Sequence, residues 1–107
     1  MKKILYVAGP YRAETERGVV ENIRAAEAVA IEVWKAGHIA LCPHLNTRLF
    51  GGILPDMVWL EGAIDLMLRC DGVVLVPGWE NSQGTIAEIE IAQSMDMPVW
   101  YKVEDII

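Results

Sequence analysis

The chain has 107 residues, enough for one domain and no more. At 53% hydrophobic and 22% charged it reads as globular, and a net charge of −6 argues against a nucleic-acid binder, which needs a basic face to neutralise phosphates. No apolar run reaches the length of a membrane span, and Met1-Lys2-Lys3-Ile4 leads into a strand rather than a signal peptide, so a cytoplasmic protein is expected.

Residues 3–8 (KILYVA) predict a first buried strand, ended by Gly9-Pro10 and followed by a loop through Tyr11 and Arg12. Residues 20–36 predict a helix. Ile23, Ala26, Ala30, Val33 and Trp34 form its apolar face, with Glu21, Arg24, Glu32 and Lys35 largely opposite, and Gly37 is its C-cap. Residues 38–42 make a short second strand that stops at Pro43. His44, Asn46, Thr47 and Arg48 then read as a polar loop, and residues 50–54, with two glycines, as irregular chain. Pro55 starts a helix over residues 56–69, whose apolar rows include Met57, Leu60, Ile64, Met67 and Leu68.

A third strand, residues 73–76 (VVLV), is stopped by Pro77 and Gly78. Asn81, Ser82 and Gly84 form a short polar loop, and a helix opens at about Thr85, carrying Ile86, Ile89, Ile91, Ala92 and Met95. Residues 98–102 are the last strand. Cys42 and Cys70 lack metal-ligand spacing and read as small core residues.

This alternation predicts an α/β fold. It is a flavodoxin-like or Rossmann-like three-layer sandwich, with a parallel sheet of four to five strands in order 2-1-3-4 and helices on both faces. The first and third strands then lie side by side with their loops facing across the switch point. Tyr6, Arg12, Ser82 and Glu88 converge there, with His44 nearby. Four Trp in so apolar a chain imply that some surface meets another subunit, so a homodimer or higher oligomer is expected.

Glu88 stands out, because at helical spacing it shares a row with Ile91, Ala92 and Met95. Two readings fit. Thr85-Ile-Ala-Glu88 matches the S/T-x-x-E capping box, which satisfies orphan N–H groups and on spacing alone comes first. Alternatively, Glu88 is a nucleophile kept ionised by the helix dipole and aimed at a ligand in the loop. The other residues have similarly plain alternatives: Ser82 as an N-cap, Tyr6 as a strand residue, Arg12 and His44 as solvated loop side chains.

The runs YVAGPYR (residues 6–12) and PGWENSQGTIAE (residues 77–88) resemble the nucleoside 2-deoxyribosyltransferase superfamily, most closely its small deoxynucleoside 5′-monophosphate N-glycosidases. The S-x-G-x-x-x-E element is the most specific part. The resemblance implies that Glu88 attacks the anomeric carbon of a (deoxy)ribosyl group and releases the base, with Tyr6 beside the carboxylate. It also implies a nucleoside or nucleoside monophosphate as partner, with Ser82 and Gly84 at the phosphate, and Gly9, Arg12 and His44 lining the pocket. No cofactor and no metal is implied. The family's acid on the helix before the third strand falls at Ala63, which reads as core; a shift of that helix brings Asp65 or Asp56 to the base, and Asp65 is the candidate for that role. The alternative is a nucleotide-binding module of the same fold without turnover.

Overall fold

Two apolar runs, each buried on both sides, form the middle of the sheet. The computed structural model describes residues 1–106. In chain order its elements are β1 (Ile4–Ala8), α1 (Glu16–Lys35), β2 (Ile39–Leu41), α2 (Pro43–Asn46), α3 (Asp56–Leu68), β3 (Gly72–Leu75), α4 (Gln83–Ser94) and β4 (Val99–Trp100). Short 3-10 turns lie at Trp79–Asn81 and Val103–Asp105. The four strands are all parallel, in the order β2-β1-β3-β4.

Alternation along the strands divides the core in two. Leu5 and Val7 of β1, with Val74 and Val76, pack against Ala26, Ala30 and Val33 of α1. Tyr6 and Ala8, with Val73 and Leu75, face the other way, onto Met67 of α3 and Ile89 and Ala92 of α4. Every one of these strand residues is buried, which is why the runs are apolar without a polar alternation. Each large aliphatic side chain so buried contributes about 1.5–3 kcal/mol. Cys42 and Cys70 are free thiols packed at the edges of the two clusters.

Several boundaries differ from those expected. α1 begins at Glu16 rather than at residue 20, because Thr15 adopts extended backbone and its side chain accepts a hydrogen bond from the Gly18 amide at 3.0 Å. The expected polar loop at His44 is the one-turn helix α2, opened by Pro43. A 3-10 turn at Trp79–Asn81 occupies part of the loop after β3, so α4 starts at Gln83, earlier than Thr85. β4 is two residues long, shorter than residues 98–102.

Gly9 marks the closest approach between the ends of β1 and β3. A Cβ there would lie 2.5 Å from the Val76 Cβ and 2.6 Å from its Cγ2. Gly9→Ala is therefore expected to destabilise the fold by about 1–3 kcal/mol through overpacking. In chemical denaturation the Gly9→Ala/Val76→Ala double variant should lose less than the sum of the two single losses, because the Val76 Cγ atoms crowding the new methyl are gone, whereas a purely conformational effect at Gly9 would leave the losses additive.

Candidate functional site

Register sets the site. Ala8 pairs with Leu75, and the Val76 amide donates to the Ala8 carbonyl at 2.9 Å, so the loops after β1 and β3 leave the same sheet edge side by side. Tyr6 is 1% exposed, and a phenol so buried needs a partner. It finds one on α4: Tyr6 Oη donates to Glu88 Oε2 at 2.5 Å. Among the described residues the sole buried polar side-chain atom without a partner is Trp59 Nε1, so Glu88 Oε1, which has none, is reached by solvent. One carboxylate oxygen is held and the other is open.

Burial raises the Glu88 pKa above its ordinary 4.5, while the Tyr6 hydrogen bond pulls it back down. Tyr6 is raised far above a phenol's usual range, first by burial and then by the charge of Glu88. The shared proton therefore stays on Tyr6. Glu88 is not part of a capping box, which corrects that expectation: it lies in the second turn of α4, and its recorded bond goes to β1.

The cap is Ser82. Its backbone is extended (φ −111°, ψ 108°), and its Oγ accepts from the Thr85 amide at 3.2 Å and from the buried Thr85 hydroxyl at 2.8 Å. Both acceptor positions are used, so the Ser82 O–H proton is the free donor. The first-turn amides of Gln83 and Gly84 have no carbonyl of their own helix to bond. Gly84 has open space where a Cβ would stand. The end of α4 thus presents donors and the positive end of a helix dipole.

His44 is 7% exposed rather than solvated, and its Nε2 lies 2.8 Å from the Pro10 carbonyl oxygen. A carbonyl only accepts, so Nε2 carries the proton. Burial lowers the His44 pKa, which keeps the ring neutral. The Tyr11 ring meets His44 edge-on at 5.5 Å, and Asn22 Nδ2 donates to the Tyr11 carbonyl at 3.1 Å. His44 therefore braces the loop after Gly9. Arg12 pairs with Asp56 at the start of α3, at 3.2 Å, with both side chains largely exposed. The pair is worth ~1 kcal/mol or less and leaves Arg12 free to exchange partners.

Asp65 is not brought into this group. It is exposed on α3, where its carbonyl accepts a long bond (3.4 Å) from Arg69 Nη1. Ala63 is the α3 residue packed against the cluster that holds Tyr6. Among the described residues no three His, Cys, Asp or Glu side chains converge as metal ligands, and no helix is long and apolar enough to cross a membrane. Two surface hollows, of about 450 and 290 Å³, lie elsewhere, the first lined by Lys2, Lys3, Asp71 and Trp100 and the second by Trp34, Cys42 and Leu45. The bracing role of His44 was missed by reading the residue alone. Strand order held the signal, since a residue just past β2 abuts the loop just past β1.

A family model described as a domain of unknown function, DUF4406, matches residues 3–101. No curated protein matches the chain.

Two consequences follow for Glu88. Tyr6→Phe removes the bond that lowers its pKa, so the Glu88 value should rise further, as read from its carboxyl carbon by NMR titration, with about 1–3 kcal/mol of stability lost. The folded chain also holds the Glu88 proton to higher pH than the unfolded chain, so stability present below pH 4.5 is lost as pH rises through the folded value. The Tm of Glu88→Gln relative to wild type should accordingly increase from pH 4.5 upward, and a flat difference would contradict this.

Proposed function

The chain belongs to the DUF4406 family, and from the chemistry of its site we propose that it cleaves or transfers at the N-glycosidic bond of a (deoxy)nucleoside or its 5′-monophosphate. The observation that carries the reading is the divided Glu88 carboxylate, with Oε2 bonded to Tyr6 and Oε1 open to solvent, in the second turn of the helix that Ser82 caps. The likeness of residues 6–12 and 77–88 to the nucleoside 2-deoxyribosyltransferase superfamily supports the same assignment.

In this mechanism Oε1 attacks the anomeric carbon. The C–N bond breaks with its electron pair on the departing base, which takes up a proton from solvent water, and a glycosyl ester forms on Glu88. Tyr6 keeps its proton and orients the carboxylate throughout. Water, or a second base, then attacks the same carbon and frees Glu88. The Ser82 hydroxyl with the Gln83 and Gly84 amides would hold a 5′-phosphate, and Arg12 would trade Asp56 for that anion. Gly9 lets the loop approach closely, and His44 fixes its course.

One observation favours a second reading, a nucleotide-binding module without turnover. α3 turns Ala63 toward the Tyr6 cluster and Asp65 outward, so no α3 acid packs toward that cluster to protonate the departing base.

Incubation with deoxynucleoside 5′-monophosphates and the parent nucleosides, followed by chromatography for free base, tests both. Base release should fall by about a thousandfold or more in Glu88→Ala. Ser82→Ala should raise KM for the monophosphate by about tenfold and leave the nucleoside unaffected. Thermal stabilisation by nucleotides without base release supports the binding module instead, and no stabilisation removes both readings.

A further inference from the structure

The direction of α3 is fixed by its two ends. Asp56, its first residue, holds Arg12 of the loop that leaves β1, while the amide of Asp71, just past the helix, donates to the Ile4 carbonyl where β1 begins. The helix therefore runs from the carboxyl end of the strands to their amino end. Trp59, Ala63 and Met67 follow one another at four-residue spacing along one row. Met67 is fully enclosed, and Ala63 packs against the cluster that holds Tyr6. Trp59 thus stands about 6 Å beyond Ala63, toward the end where the β1 and β3 loops leave. Its indole Nε1 is enclosed and bonds to nothing, alone in this among the buried polar side-chain atoms of the described residues. An N–H in that state bears its whole desolvation cost, and it points to an acceptor that comes from outside the chain.

We propose that Trp59 Nε1 donates a hydrogen bond to the departing base, an inference that rests on the glycosidic reading. Breaking the C–N bond leaves an electron pair on the base, and α3 brings no acid to meet it, with Ala63 turned inward and Asp65 exposed. An indole N–H only donates, so it does not protonate the base. It bonds to a ring nitrogen or carbonyl oxygen of the base as negative charge builds there, and the proton itself arrives from water. A fixed donor set against developing charge binds the transition state more tightly than the ground state. Purines and pyrimidines both carry an acceptor beside the glycosidic nitrogen, N3 or O2, so the contact suits either class. The cover over the indole is free to shift. The Phe50 ring meets Trp59 at 5.7 Å, tilted by 58°, and is itself 43% exposed. Among the described residues the main-chain bonds of residues 48–54 stay within residues 47–54, and Gly51 and Gly52 follow the ring. Moving Phe50 therefore uncovers the N–H without breaking a main-chain bond to the rest of the chain.

Trp59→Phe keeps the aromatic ring and removes the donor. On deoxynucleoside 5′-monophosphates its kcat for base release should fall by about a hundredfold, with KM changed far less. On the matching 4-nitrophenyl glycoside 5′-phosphate, whose phenolate departs without help, the variant should keep the wild-type rate. Equal losses on both substrates, as a structural role predicts, or no loss on either, would overturn the proposal and leave the proposed function standing. A second readout uses the wild-type chain alone and decides the matter should the variant fail to fold. The indole N–H resonance of Trp59 in 15N NMR should move downfield with a nucleoside monophosphate and stay in place with deoxyribose 5-phosphate, which lacks the base. A monophosphate that shifts the Gln83 and Gly84 amides but not the Trp59 indole refutes this inference alone. No base release, with neither set of resonances moved by any nucleotide, removes the proposed function and this inference together.

Discussion

The hydrogen bond between Tyr6 and Glu88 joins two groups that could not be buried separately. The phenol sits on the central strand, fully enclosed by apolar neighbours, and the carboxylate enters the same cluster from α4. Either one left without its partner would bear the desolvation cost of an unpaired polar group in a dry environment. Paired, they fix the rotation of α4 against the sheet. Ser82 caps that helix at the end of the loop that leaves β3, a loop that starts next to the one leaving β1.

Burial and hydrogen bonding pull the Glu88 carboxyl in opposite directions, and the balance is what gives it chemical interest. Burial favours the protonated form, the Tyr6 bond favours the ionised one, and the remaining oxygen stays accessible. Such an arrangement costs stability. The adjoining aliphatic strands offset it, since Leu5, Val7, Val74 and Val76 are almost wholly enclosed against α1.

The two layers around the sheet are not equally finished. α1 shows a polar face to water and an apolar face to β1 and β2, as a surface helix does. α3 gives little to the core and leaves apolar side chains outside, next to the ion pair that ties its first turn to the β1 loop.

How much of this was legible in the residues depends on the range of the interaction involved. Continuous apolar runs at residues 4–8 and 73–76, separated by helical periodicity, determined a parallel sheet, because only burial on both faces tolerates such runs, and the flavodoxin-like pattern supplied its order. Glu88 in an apolar row was equally plain, as periodicity assigns a face. Periodicity does not assign a distance. Thr85 and Ser82 are both cap formers, and the 3-10 turn at Trp79–Asn81 decided between them by delivering Ser82 in extended backbone. The Tyr6–Glu88 bond spans 82 positions and the His44–Pro10 bond spans 34. Local pattern determined which residues turn inward; only the packing of β1 between β2 and β3, with α4 laid across them, decided which of those inward groups touch.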